Sequence, residues 1–314
     1  MPTTDTLITG AIKAVKGERN GSYKTQHNHI MGASRFTETL RELGYGVKKW
    51  SNISNKHVGA VVDSWKNQGL KTATIKNYLS AARKICSLYS NDRIHKDNKE
   101  FNIENRVYIT NKDKSLTQSV YEKVVSDLKN SKNDHHQRIA AQLQLERELG
   151  LRGEESRKFT VSGLLNDGRV FISHGTKGGR DRFINEPSEK AINAINYLKS
   201  LVDKNNLIPK GMTEKQWEKK FYRVLYGHGI NKKVAGASSH GLRHAYAQER
   251  YEKMTGFKPP CKFSSKKEFR KNAQKIKGHA WQKADRDARL IIKSEMGHGP
   301  ERDDVVSQYL GASK

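Results

Sequence analysis

The sequence has little of what marks secreted, membrane-spanning or zinc-binding proteins. It contains two cysteines, Cys86 and Cys261, far apart in the chain, so it offers neither a disulfide framework nor the paired spacing of a zinc site. No apolar run approaches the roughly 18 residues that a bilayer requires. The opening residues also lack the apolar stretch of a secretory signal. These absences predict a cytoplasmic protein without a membrane partner.

Acidic residues are also in deficit. Against 59 lysines and arginines the chain has 33 aspartates and glutamates, which gives a formal net charge of +26. The excess is spread along the chain, so a polyanion is the expected partner, and nucleic acid is favoured once the membrane is set aside. With 314 residues the chain is long enough for two domains.

Hydrophobic periodicity predicts two domains that are mainly helical. Residues 1–105 contain segments in which apolar side chains recur every three or four positions. Residues 106–114 are polar and predict a linker, and residues 115–314 form the second domain. There "GRVFISHGTKGGRDRFI" changes period, because two short β-rich runs flank a glycine-rich turn, which predicts a hairpin. The expected fold class is therefore mainly α with a small β-hairpin, an α+β arrangement.

Two common catalytic patterns are absent from the sequence. The phosphate loop G-x-x-x-x-G-K-[ST] occurs nowhere, so no ATP-driven chemistry is indicated. His240 and His244 have the spacing of a zincin helix, but Gly241 stands where the general base of that motif would be. The polar residues suited to chemistry lie instead in four segments: "LGLRGEE" (Arg152, Glu155), "HGTKGGRDR" (Lys177), "SSHGLRHAY" (His240, Arg243) and "MGHGPERDDVVSQYL" (His298, Tyr309).

Each segment alone has an ordinary explanation, such as a solvated arginine, a turn lysine or a helix-capping histidine. Together they fit the attack of a tyrosine phenolate on a phosphodiester. The phenol has an ordinary pKa of about 10, so it needs a base, for which His240 or His298 is available. The two arginines would stabilise charge on the non-bridging oxygens. Lys177 would protonate the departing 5′ oxygen.

The four segments, in this order, resemble the catalytic boxes of the tyrosine recombinase (phage integrase) family over about residues 115–314. The boxes are G-x-R-x-x-E as "GLRGEE", the hairpin lysine, H-x-L-R-H as "HGLRH", and a Gly-His pair followed by tyrosine. The resemblance implies a two-domain, DNA-clamping architecture with a helical core-binding domain at residues 1–105. It assigns the phosphate pocket to Arg152, Lys177, His240, Arg243 and His298, support to Glu155, and attack to Tyr309.

The resemblance also implies a reaction and its partners. DNA strands would be cleaved one at a time through a 3′-phosphotyrosine intermediate, without cofactors, and exchanged in a homotetramer on two synapsed sites, with accessory DNA-bending proteins as further partners. An enzyme of this kind would associate with the bacterial nucleoid and serve a phage or other mobile element. Lys71, Lys76 and Arg83 are the predicted DNA contacts of the first domain.

The chain also departs from the family pattern. The interval from Arg243 to His298 is long, and it holds a strongly basic insertion at about 256–290, predicted to be helical and to contact DNA. Only a short segment follows Tyr309, so protomer contacts would use an element other than an exchanged C-terminal helix. Two alternatives stay open: a type IB topoisomerase, which shares this chemistry, and a non-catalytic DNA-binding protein of the same fold.

Overall fold

The computed structural model describes residues 5–18, 21–105, 107–202, 205–299 and 301–313. The chain forms two compact units, 1–107 and 108–314. Within the described residues, thirteen α-helices are accompanied by one two-stranded antiparallel sheet. The predicted fold class, mainly helical with a small hairpin, is confirmed. No helix in these ranges has the length and apolar character needed to span a bilayer.

The first unit is a helical bundle. Its helices are α1 (Thr6–Glu18), α2 (Tyr23–Glu42), α3 (Asn55–Asn67) and α4 (Thr72–Leu88). Apolar stripes at helical spacing create the core, because α2 contributes Phe36, α3 contributes Trp65 and α4 contributes Leu79, all fully buried. Residues beyond α4 complete this core, since Ile94 and Phe101 pack into it.

The last residues of the predicted linker, 106–114, belong to the second unit and are hydrogen-bonded within it. Asp113 accepts a hydrogen bond from Lys262 Nζ at 2.6 Å and another from Gln248 Nε2 at 2.9 Å. The Leu116 amide, just beyond the linker, donates to the Gly241 carbonyl at 3.1 Å. The division between the units falls between residues 107 and 108.

The second unit contains nine helices and the hairpin among its described residues. Strands β1 (Val170–Ile172) and β2 (Arg182–Ile184) pair antiparallel, with Phe171 opposite Phe183. The helices are α5 (Gln118–Lys129), α6 (Asp134–Glu148), α7 (Gly153–Lys158), α8 (Glu189–Leu201), α9 (Glu214–Gly227), α10 (His240–Thr255), α11 (Lys266–Lys277), α12 (Trp281–Glu295) and α13 (Asp303–Leu310).

The basic insert, residues 256–290, is helical as predicted. It contains α11 and the first two-thirds of α12. Both helices are amphipathic: α11 buries Phe269 and α12 buries Ala288, while their lysines face outward. The apolar faces share a core with α13, where Val306 and Leu310 are buried. The insert therefore packs directly against the short helix that carries Tyr309.

Candidate active site

Arg152 stands at a sharp break between α6 and α7. Gly150 makes the break with φ +59°, and the Tyr246 ring occupies the space that a side chain at Gly150 would need. Arg152 then caps α7, and Glu155 reaches back to accept from the Arg152 amide at 2.7 Å and from its Nη1 at 2.6 Å. Arg152 keeps 24% of its side chain exposed. One face of its guanidinium is therefore open to a ligand.

Arg182 on β2 fixes the carboxylate that supports Arg152. Its Nη1 and Nη2 donate to the two oxygens of Glu155 at 3.0 and 2.7 Å, and both side chains are buried. Burial alone would raise the pKa of Glu155, but hydrogen bonds and charge from Arg182, and then the charge of Arg152, lower it to about 2. Arg182 Nε also donates to the carbonyl of Glu295 at 2.7 Å. Since Arg182 neutralises Glu155, the charge of Arg152 remains available to an anion.

Arg243 is buried on the first turns of α10 and joins two loops. It donates to the backbone carbonyls of Gly150 and Met296, which precede Arg152 and His298 respectively. Its Nη2 lies 3.4 Å from His298 Nε2. Arg243 Nη1 lies 3.9 Å from Glu155 Oε2, and Arg152 Nη1 lies 2.6 Å from Glu155 Oε1. The two guanidiniums are therefore neighbours beside one carboxylate.

Three histidines surround Tyr309. The ring centroids of His240 and His298 each lie 5.8 Å from the Tyr309 ring, and that of His244 lies 4.6 Å away. Although His240 keeps an exposed surface, partial desolvation and then the positive charge of Arg243 lower its pKa to about 4. Burial and then Arg243 lower the pKa of His298 to about 3. Burial lowers the pKa of His244 to about 3 as well. All three imidazoles are therefore neutral near pH 7, and each carries one unprotonated ring nitrogen.

Tyr309 is buried, with 7% of its surface exposed. Its hydroxyl accepts from Arg243 Nε at 3.3 Å. Its backbone carbonyl lies 3.3 Å from Gln248 Nε2, and Cys261 Sγ donates to the same carbonyl at 3.6 Å. The phenol oxygen is thereby directed at the guanidinium of its own chain.

Lys177 lies in the exposed turn that joins β1 and β2. This turn and the loop carrying His298 form the walls of a cavity of about 610 Å³, which Arg152 also lines. Arg180 and Arg302 add two further positive groups to the same walls. The cavity is therefore a strongly basic recess, which suits a polyanion backbone.

Of the predicted catalytic side chains, Arg152, Lys177 and His298 line this recess. Arg243 does not line it but contacts both His298 and Tyr309, and His240 lies beside the Tyr309 ring. The predicted DNA contacts lie in the other unit. There Lys71 is exposed and Lys76 half-buried, whereas Arg83 is held within the protein, since its Nη1 donates to Asn98 Oδ1 at 2.8 Å. That all three residues contact DNA stays a prediction.

Sequence reasoning missed Arg182, Arg180 and His244 as parts of the site. A signal for Arg182 exists in the sequence: it alternates with Ile184 on the buried face of β2, and an arginine at a buried strand position requires a carboxylate partner. For Arg180 the only signal is its position in the same turn as Lys177. The signal for His244 is that it follows His240 by four residues, a spacing that places both side chains on one helical face.

Two family models match the chain. "Phage integrase, N-terminal" matches residues 7–94, and "Integrase" matches residues 106–249. No curated protein sequence matches the chain.

Solved structures share the fold at low sequence identity. The Tn1549 transposon integrase in complex with transposon right end DNA is 14% identical, with 98% of this chain and 95% of that chain covered and a TM-score of 0.60. A lambda integrase dimer bound to a core site is 15% identical, with 98% and 77% covered and a TM-score of 0.62. The XerH site-specific recombinase in a post-cleavage complex is 18% identical, with 95% and 79% covered and a TM-score of 0.57.

Proposed function

Because the chain belongs to the tyrosine recombinase (phage integrase) family, we propose that it is a site-specific DNA recombinase that cleaves and rejoins strands through a 3′-phosphotyrosine intermediate. The observation that carries the proposal is the contact between Tyr309 and Arg243. A tyrosine hydroxyl 3.3 Å from a buried guanidinium, at the edge of a basic recess, matches the needs of a phenolate that attacks a phosphodiester.

The first step forms a bond between Tyr309 Oη and phosphorus and breaks the bond from phosphorus to the 5′ oxygen. Arg152 and Arg243 stabilise the charge that grows on the non-bridging oxygens. Lys177, on its exposed turn, gives a proton to the departing 5′ oxygen. Rejoining reverses these events, because the phosphotyrosine diester retains the energy of the broken bond.

His298 and His240 take different roles in hydrogen bonding and proton transfer. Arg243 is a donor only, so its contact with His298 Nε2 leaves the proton of that ring on Nδ1. We assign His298 to donate to the phosphate and His240, also neutral and beside the Tyr309 ring, to accept the phenol proton. With guanidiniums in the place that Mg²⁺ takes in other phosphoryl-transfer enzymes, we propose that the reaction uses neither a metal nor ATP.

The proposed partners are double-stranded recombination sites bound by a homotetramer, with accessory DNA-bending proteins. We place the enzyme on the nucleoid and link it to a mobile element, as supported by the transposon and phage integrases among its structural neighbours. Lys71 and Lys76, exposed and half-buried on the first unit, are the proposed DNA contacts there.

The test is a covalent adduct on nicked DNA that carries the repeats flanking the gene. Wild-type protein should form an adduct that survives denaturation and persists in the presence of a chelator. Tyr309→Phe should abolish it. Tyr226→Phe is the matched control, since Tyr226 is 68% exposed and far from these contacts. A full adduct from the Tyr309 variant would overturn the proposal.

A further inference from the structure

Arg289 of the basic insert binds the chain on both sides of Tyr309. Its Nη2 donates to the carbonyl of Gly311 at 3.0 Å, and its Nη1 donates to Ser307 Oγ at 3.3 Å. Its Nε donates to Asp285 Oδ1 at 2.8 Å, which forms an i, i+4 ion pair on α12. One guanidinium therefore holds the residues before and after the tyrosine.

Asp285 holds the end of the same segment. Its Oδ2 accepts from Ser313 Oγ at 2.9 Å, and its Oδ1 accepts from the Tyr251 hydroxyl at 2.6 Å. From α11, Arg270 Nε donates to the Ser313 carbonyl at 3.0 Å. Because Asp285 is buried with each oxygen hydrogen-bonded, the segment 311–313 is seated in one defined geometry.

The backbone of this segment also fits closely against its seat. Gly311 has φ +82°, and a Cβ there would meet the Cys261 amide nitrogen at 2.8 Å. The Ala312 amide donates to Asn111 Oδ1 at 2.8 Å. Close backbone approach and a left-handed residue together require glycine at this position. Residues 311–313 are therefore held both by close backbone packing and by side chains of the insert.

We propose that the basic insert is an intramolecular acceptor for residues 311–313, and that Asp285 and Arg289 are positioning residues for Tyr309. The inference rests on the proposed function, in which Tyr309 is the nucleophile. Neither residue touches the reacting atoms, but both fix the segment that carries the tyrosine toward Arg243 of the same chain. The insert thus holds the segment next to the nucleophile within the same chain.

The first experiment compares single-turnover cleavage of the nicked site DNA by Arg289→Met and by the control Arg138→Met. The control shares the i, i+4 geometry: Arg138 Nε pairs with Asp134, four residues earlier on α6, at 2.8 Å, and its side chain is 17% exposed against 15% for Arg289. The partner carboxylates differ, since Asp134 is 61% exposed and Asp285 9%, so urea unfolding of both variants accompanies the rate measurement. Arg289→Met should slow cleavage about tenfold to a hundredfold, because a misplaced nucleophile loses its attack geometry. DNA affinity should not change, and Arg138→Met should cleave at the wild-type rate.

The second experiment tests whether Tyr309 acts in the phosphate pocket of its own chain, with both variants first shown to unfold in urea like the wild type. Tyr309→Phe, which keeps the phosphate pocket, is mixed with a size-tagged Arg152→Ala chain, which keeps the tyrosine. Delivery in cis predicts that the mixture forms no adduct. An adduct on the tagged chain would mean that the tyrosine serves a neighbour's pocket, and the proposal would be overturned.

The outcomes also distinguish this inference from the function on which it rests. If wild-type protein forms no adduct at all, the recombinase proposal fails and the inference fails with it. If wild-type protein forms the adduct but Arg289→Met and Arg138→Met cleave at equal rates, the inference alone is wrong.

Discussion

Replacing Arg182 with methionine should destabilise the second unit by about 3–5 kcal/mol, because the change leaves a buried carboxylate without its main partner. Arg182 donates to both oxygens of Glu155, and neither side chain is more than 3% exposed. Methionine is long and flexible enough to fill most of the vacated apolar space. The expected loss of stability therefore comes mainly from the unpaired charge of Glu155.

The pKa of Glu155 gives an independent estimate of how much its ion pairs contribute to the free energy of unfolding. Although burial opposes it, the contacts with Arg182 and then Arg152 lower that pKa from 4.5 to about 2. A carboxyl with a lowered folded-state pKa contributes stability that is complete above its unfolded value and is lost as the pH falls from 4.5 toward 2. At about 1.4 kcal/mol for each tenfold change in proton affinity, this contribution is about 3 kcal/mol.

The assay is urea unfolding of the full chain, followed by tryptophan fluorescence, at about pH 7 and about pH 3. Trp217 is fully buried and reports on the second unit. Arg169→Met is the control beside the same hairpin: its ion pair with Asp167 is exposed, with side chains 44% and 51% accessible, so its removal should cost much less stability than that of Arg182. The difference between wild type and Arg182→Met should narrow at the lower pH.

Equal losses from the two arginine variants at pH 7 would refute this reasoning. The reasoning would also be refuted if the difference in unfolding free energy between wild type and Arg182→Met were the same at pH 3 as at pH 7. In that case the stabilisation would not come from the ionised carboxylate of Glu155.

Three further predictions concern other groups of the second unit. Glu146→Gln should stabilise the fold by about 1–3 kcal/mol at pH 8 and have no effect near pH 4, because burial raises the pKa of Glu146 from 4.5 to about 7, so the penalty for ionising it builds up as the pH rises above 4.5 and is complete above about 7; urea unfolding at both pH values checks it. Gly150→Ala should lower the melting temperature more than Gly168→Ala, since both have positive φ but only Gly150 faces the Tyr246 ring. The pH–rate profile of cleavage should keep its shape between about pH 6 and 8 in His298→Gln. Burial and then neighbouring arginines lower the pKa of His298 to about 3, so this imidazole does not titrate in that range. A change of slope in the wild-type profile that is missing from the His298→Gln profile would contradict this.

The sequence predicted those parts of the fold that depend on local pattern. Alternating apolar residues around a glycine-rich turn predicted the hairpin, and β1 and β2 form at residues 170–172 and 182–184. Ser54, a residue type favoured at helix N-termini, is the N-cap of α3. Periodicity succeeds in these cases because each element exposes one face and buries the other.

The sequence did not predict which charged groups meet. Arg182 and Glu155 are 27 residues apart, and their pairing depends on how β2 packs beside α7. The insert was predicted to be basic and helical, yet periodicity cannot show that its buried face covers the helix of Tyr309. Partners of this kind are set by tertiary packing, which a single sequence does not record.

The double engagement of Arg243 by the carbonyls of Gly150 and Met296 links catalytic competence to the folded state. In a chain whose two loops have separated, as in a nascent or partly melted molecule, the guanidinium leaves the phenol and the basic recess comes apart. Such a molecule can still adhere to chromosomal DNA through its net charge, but it has no assembled means of cutting it.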